Sequence, residues 1–182
     1  MENSTEENGK TQAELLHERT KLGKLPVIEI AGHPFYVDVR METFRPHDDF
    51  TALGISFSIF NRFEMSFCPV RIAYDPRKHV ALNIDYEKLS EIPKDWIMVE
   101  IPHPKTLDPY GYARENGLNI EQTLRSYPLR ENVKAKIVPW EDTGILFYIE
   151  ENKKKMERGQ RREQKKLLNQ DMGKRKSRGV SR

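Results

Sequence analysis

The spacing of apolar residues is helical near the start of the chain, alternates through most of its length and is lost after Asn152. Ala13, Leu15, Leu16 and Leu22 recur at helical intervals, and Thr11 and Glu14 stand in the relation of a capping box, each side chain within reach of the other's free backbone N–H. This predicts a helix that opens at Thr11 and stops at Gly23, a residue suited to a left-handed C-cap. His17 falls on it as a surface residue. From Pro26 the period becomes two. Val27, Ile28 and Ile30, then Phe35, Val37 and Val39, predict a β-hairpin whose turn contains Gly32.

Thr43 to Phe50 is polar and reads as a loop. Ile55, Phe57 and Ile59 alternate, as do Phe63, Met65 and Phe67, so these two runs are expected to pair across Asn61-Arg62. Val70, Ile72 and Tyr74 lead into Asp75-Pro76-Arg77-Lys78, where the proline suits a type I turn, and Val80, Leu82 and Ile84 return. A short helix is expected between Asp85 and Glu91, and a strand over Trp96 to Ile101. Helical turns are expected over Tyr110 to Asn116 and from Asn119 to Leu124, and the last strands over Val133 to Val138 and Ile145 to Ile149. About eight short strands without β-α-β alternation imply an α+β fold with a mainly antiparallel, bent or barrel-like sheet.

Charge divides what the apolar pattern leaves out. Of the chain's 31 Lys or Arg and 28 Asp or Glu, residues 153 to 182 hold 13 and 3, leaving 18 against 25 in residues 1 to 152. The expected plan is therefore a disordered start and capped helix over 1–24, one α+β domain over 25–152, and a basic tail over 153–182. The tail has no apolar stripe, since only Met156, Leu167 and Leu168 interrupt its charge near the middle. Glu150 with Lys154, Glu151 with Lys155 and Glu157 with Arg161 are favourable helical pairs, and the Gly-, Ser- and Lys/Arg-rich residues beyond Asp171 read as disordered.

A basic segment on an acidic body points to a polyanion. Lys153, Lys154, Lys155, Arg158, Arg161, Arg162, Lys165, Lys166, Lys174, Arg175, Lys176 and Arg178 are the candidate phosphate contacts. A tail engaging about six phosphates would give a salt slope near −5 on duplex DNA and about −4 on single strands. A membrane surface fits less well, because the tail lacks the aromatic and leucine face of an interfacial helix.

Other patterns carry weaker chemistry. Phe57, Phe60, Phe63 and Phe67, with Arg62 and Arg71, would form an RNA-stacking sheet only if they faced outward, and alternation sends most of them to the core side. Asp142-Thr143-Gly144 matches the tripeptide of aspartic proteases but occurs once, and a turn explains it. Asp142, Glu151 and Lys153 imitate the acid and lysine set of a metal-dependent nuclease at unusually close spacing. His47 beside Asp48 and Asp49 is an acid–base candidate in a loop where polar residues are ordinary. His33, His79 and His103 are scattered, with no zinc spacing, and Cys68 has no partner cysteine. No glycine-rich phosphate loop and no cofactor motif is present.

The segments GHPFYVDVRMETFRPHDDF, EIPKDWIMVEIP, LDPYGYARENGL and KAKIVPWED together resemble small uncharacterised proteins of Bacteroidetes, some of them associated with mobile elements. The resemblance spans about residues 20 to 145 and implies a bacterial origin and nucleic-acid surroundings, without an activity or a site. The start MENSTEENGK is unlike a signal peptide and no run of about 20 apolar residues exists, so no membrane span and a cytoplasmic setting are expected. The resulting expectation is a non-enzymatic, nucleic-acid-associated binding protein that touches DNA or RNA phosphates through its tail and another protein through its body. The alternatives are a protein-interaction module whose tail steers or solubilises, and a metal-dependent nuclease or phosphodiesterase.

Overall fold

The structure, a computed structural model, describes residues 9–49, 51–60 and 68–178. The chain divides into two units, one comprising Met1–Asn83 and Asp95–Pro139, the other Ile84–Lys94 and Trp140–Arg182.

The first unit opens with α1, Gln12–Thr20, and the capping box forms as the sequence predicts: Thr11 Oγ1 accepts from Glu14 N at 3.3 Å and Thr11 N donates to Glu14 Oε2 at 2.8 Å. Gly23, at φ +66°, turns the chain so that Lys24 N reaches back to the Glu18 carbonyl at 3.1 Å. The helix is anchored at both ends. The Gln12 side-chain amide exchanges hydrogen bonds of 2.7 and 2.9 Å with the backbone of Leu129, as a strand residue would. Arg19 makes a bidentate pair with Asp108, which is 0% exposed.

Strands β1, Val27–Ile30, and β2, His33–Asp38, form the expected hairpin, turning through Ala31 and Gly32 at φ 52° and 84°. Two positive values match the right-handed twist of the strands. The polar segment predicted as a loop instead supplies β3, Thr43–Pro46, paired with β2 and burying Phe44 and Pro46 on alternate positions. Polar Thr43 and Arg45 on the other face mask that alternation in the sequence.

The run from Ile55 to Ile59 is a strand only at its start, β4, Ile55–Ser56. Ser56 Oγ then accepts from Ser58 N at 3.2 Å and winds Phe57–Ile59 into a 3-10 turn. That turn drops Phe57 and Phe60 into the core beside Phe44. The expected strand over 63–67 lies outside the described residues. Strands β5, Val70–Asp75, and β6, Val80–Leu82, make the second predicted hairpin, and β7, Ile97–Ile101, pairs along the other side of β5.

Three short helices follow: α2, Pro104–Leu107, α3, Pro109–Glu115, and α4, Ile120–Ser126, capped by His103, Asp108 and Asn119. Next come β8, Val133–Lys134, parallel to β1, and β9, Lys136–Val138, antiparallel to β7. The strand orders are β4-β3-β2-β1-β8 and β6-β5-β7-β9, with every pairing but β1·β8 antiparallel. The α+β class is as predicted; a single bent or barrel-like sheet is not, because two open sheets share one core of Ile28, Phe35, Val37, Phe44, Ile72, Tyr74, Val99 and Ile101. Alternation specifies one buried face per strand, and two facing sheets satisfy it as well as one wrapped sheet does.

In the second unit no helix forms between Asp85 and Glu91, which make turns. Ile145 to Ile149, expected as the last strand, opens α5, Ile145–Arg178, after a 3-10 turn over Trp140–Thr143 and Gly144 at φ +71°. The residues beyond Asp171, expected to be disordered, continue this helix to Arg178. Among the described residues no helix is long and apolar enough to cross a membrane.

Candidate nucleic-acid interface

The first turns of α5 have a buried side made by Ile145, Ile149 and Asn152, 0%, 6% and 5% exposed. These positions, i, i+4 and i+7, lie on one helical face. Asn152 Nδ2 donates to the carbonyls of Tyr86 and Leu89 at 2.7 and 2.9 Å, fastening the 84–94 segment to the helix. Both amide hydrogens are thus used, and two carbonyls of an irregular segment are satisfied. The Tyr86 ring in consequence lies 5.0 Å from Tyr148.

Beyond Asn152 every described side chain of α5 is exposed. The predicted contacts Lys153, Lys154, Lys155, Arg158, Arg161, Arg162, Lys165 and Lys166 are among them, and Lys174, Arg175, Lys176 and Arg178 belong to later turns of the same helix. At about 100° per residue, Lys154, Lys155, Arg158, Arg161, Arg162, Lys165 and Lys166 fall within an arc of about 140°. Lys153 lies outside it. Glu150 and Glu157 border the arc, about 20° and 40° beyond its Arg161 edge, Glu163 projects away from it, and Glu151 lies within it, paired with Lys154 at 3.2 Å. Among the described side chains of α5 this is the one ion pair.

Phe147 and Tyr148, at the head of the helix, lie in the same arc. Phe147 is 65% exposed, Tyr148 46% and Tyr86 39%, and Phe147 meets Tyr148 edge-on at 5.7 Å. As part of a strand, Phe147 and Tyr148 would fall on opposite faces, apart from the cations. Period 3.6 carried back from Lys153 to Gly144 brings them together.

The remaining candidates take structural roles. Phe57 and Phe60 are core residues rather than a stacking surface, while Phe63 and Phe67 lie outside the described residues. The loop charges around His47 are each directed elsewhere. Arg45 pairs with Asp38 at 2.9 Å, His47 stacks on Tyr36 at 4.7 Å, and Asp49 Oδ1 accepts from the N–H groups of Thr51 and Ala52. Asp142 lies in the 3-10 turn, and Glu151 pairs with Lys154. Among the described residues no three His, Cys, Asp or Glu side chains converge as a metal site.

His33 and His79, far apart in sequence, stack at 3.7 Å with a 15° tilt, and Tyr74 Oη lies 3.1 Å from His79 Nδ1. His33 Nε2 is 3.0 Å from Asp48 Oδ1, close enough for an ion pair with a protonated ring yet not aligned as a hydrogen bond. Burial, and then the neighbouring imidazole of His33, lower the pKa of His79 against the opposing pull of Asp48 and Asp75. Stacked planes direct their nitrogens sideways rather than toward a shared point, so this cluster joins the two sheets without making a ligand set.

A groove of about 880 Å³ runs between α1, β1 and β8. Its lysines are compensated. Lys10 bridges Glu18 and Glu131, Lys24 pairs with Glu18, and Lys134 with Glu29. The basic arc of α5 differs in kind, because its charges have almost no carboxylate partners among the described residues. Compared with protein-family models, curated proteins and solved structures, the chain matches none of them.

Proposed function

We propose that the protein is a non-enzymatic nucleic-acid-binding protein whose α5 lays its basic face along phosphates. The observation that carries this reading is the arc itself: seven exposed cations on one side of one helix, with a single internal carboxylate partner. At 1.5 Å per residue, Lys154 to Lys166 is a stripe of about 18 Å, alongside which about five phosphates of one strand lie at 3.4 Å spacing. A solubilising tail needs charge but gains nothing from placing it on one side, so the arrangement favours a ligand over simple solvation. The resemblance of the body to small Bacteroidetes proteins, some of them associated with mobile elements, supports the same reading.

Replacement of the seven arc residues by Gln in the full chain is the test. Gln keeps helix propensity and removes the charge. The variant is expected to lose retention on immobilised DNA and RNA at low salt while its circular dichroism is unchanged. Retention equal to the wild type would remove the arc from the function.

A further inference from the structure

Three large rings stand partly in solvent where the basic face begins, although a folded chain gains by covering such surface. Tyr148 meets both Phe147 and Tyr86, so the three rings form a patch rather than scattered exposure. Contiguous exposed apolar surface on an otherwise charged element marks a binding surface. Their placement is held from beneath: Ile145 and Ile149 bury the other side of the helix, and Asn152 holds the backbone carbonyls of Tyr86 and Leu89 against it.

The ligand must offer flat apolar faces and regular negative charge together. A nucleic-acid duplex offers the charge, but its base faces are occupied by stacking within the helix. A single strand offers both. We infer that the preferred ligand of this surface is single-stranded nucleic acid, with unpaired bases stacked on Phe147, Tyr148 and Tyr86 and the following phosphates tracked by the basic arc. The inference rests on the nucleic-acid reading above and deepens it. Stacking on aromatic side chains tolerates any base, and the cations read only the backbone, so the combination selects strandedness rather than sequence. An anionic membrane fits less well, since past Tyr148 the arc holds cations and no further aromatic or leucine side chain down to Lys166.

The test measures fluorescence anisotropy of the full chain with labelled oligothymidylate, a blunt DNA duplex of the same length, and vesicles of phosphatidylcholine with phosphatidylserine. Wild type is expected to bind oligothymidylate at least tenfold more tightly than duplex. Phe147→Ala with Tyr148→Ala is expected to weaken oligothymidylate binding by about tenfold or more, with duplex binding and salt slope unchanged. A second variant, Phe147→Trp, keeps an aromatic face; it should retain affinity, and its added emission should be quenched by oligothymidylate. Equal affinity for both nucleic acids, or a double Ala variant that binds oligothymidylate like the wild type, overturns the single-strand inference while leaving the phosphate reading in place. Ring-dependent binding to vesicles with none to oligothymidylate overturns it in favour of a lipid surface. If neither nucleic acid binds, or if binding survives the seven Gln substitutions, the underlying reading falls instead.

Discussion

Asp108 is the most exacting single position in the first unit, and its replacement gives a prediction whose size follows from geometry. The carboxylate is 0% exposed and Arg19 9% exposed, so both charges are removed from water. Arg19 Nε donates to both oxygens at 3.1 Å, Arg19 Nη2 to Oδ2 at 2.7 Å, and Gly111 N to Oδ1 at 2.9 Å. Asp108→Ala leaves the guanidinium buried without its partner and frees an N–H at the start of α3. Breaking such a pair from one side costs about 3–5 kcal/mol, which at about 2–4 °C per kcal/mol for a chain of this size lowers the melting temperature by about 10 °C. Desolvation of the remaining charge dominates that loss, so the costs of removing each partner do not add. Arg19→Met combined with Asp108→Ala should destabilise less than the sum of the single variants by more than about 1.5 kcal/mol. Thermal unfolding followed by circular dichroism, with urea titration for the free energies, measures both quantities. A shift of less than about 2 °C for Asp108→Ala, or strictly additive single variants, would refute the view that this pair fastens α1 to the body.

Further outcomes follow from the same contacts. Gly111→Ala should behave like a milder Asp108 variant in the same melt, because a Cβ there would lie 2.7 Å from Asp108 Cγ and 2.8 Å from Arg19 Nη2; unchanged stability would mean the carboxylate has room to move. Burial lowers the pKa of both His79 and His103, aided at His79 by the adjacent His33 and at His103 by Lys105. The unfolded chain then binds more protons just below its ordinary histidine pKa of about 6.5, so stability should fall as the pH drops below about 6.5 and level off once the folded-state imidazoles protonate. His79→Asn, which tolerates the positive φ of 57° there, should flatten that fall in melting curves between pH 7.5 and 5.5; an unchanged slope would contradict it. Asn152→Ala leaves the Tyr86 and Leu89 carbonyls without their donor, at about 1–3 kcal/mol if they stay dry, and should speed amide exchange around residue 86; unaltered exchange would show that the segment does not depend on it.

The parts of the fold legible in the sequence are those specified by neighbours. Thr11 and Glu14 are three residues apart and determine each other, and the β1–β2 and β5–β6 hairpins carry their turn residues between their strands. The Arg19–Asp108 pair spans 89 residues, and nothing local at either residue announces it. Thr43 to Pro46 was hidden because only its inward residues are apolar. Ile145 to Ile149 failed for another reason: Ile-Leu-Phe-Tyr-Ile is a β-rich run that periodicity cannot assign by itself, and a long stretch of helix formers downstream extends the helix backward over it. The cations of the candidate site were plain from composition. Their common face, and the rings that share it, required the phase of α5 relative to Ile145, Ile149 and Asn152, which only tertiary burial fixes.

The salt dependence of nucleic-acid binding tests the central claim most directly. With about five phosphates engaged by the arc, the slope of log K against log salt on oligothymidylate should be about −3.5, and in the seven-Gln variant it should collapse toward zero together with the affinity. A wild-type slope flatter than about −1, or an equal slope in the two proteins, would contradict the assignment of α5 as the phosphate-binding face.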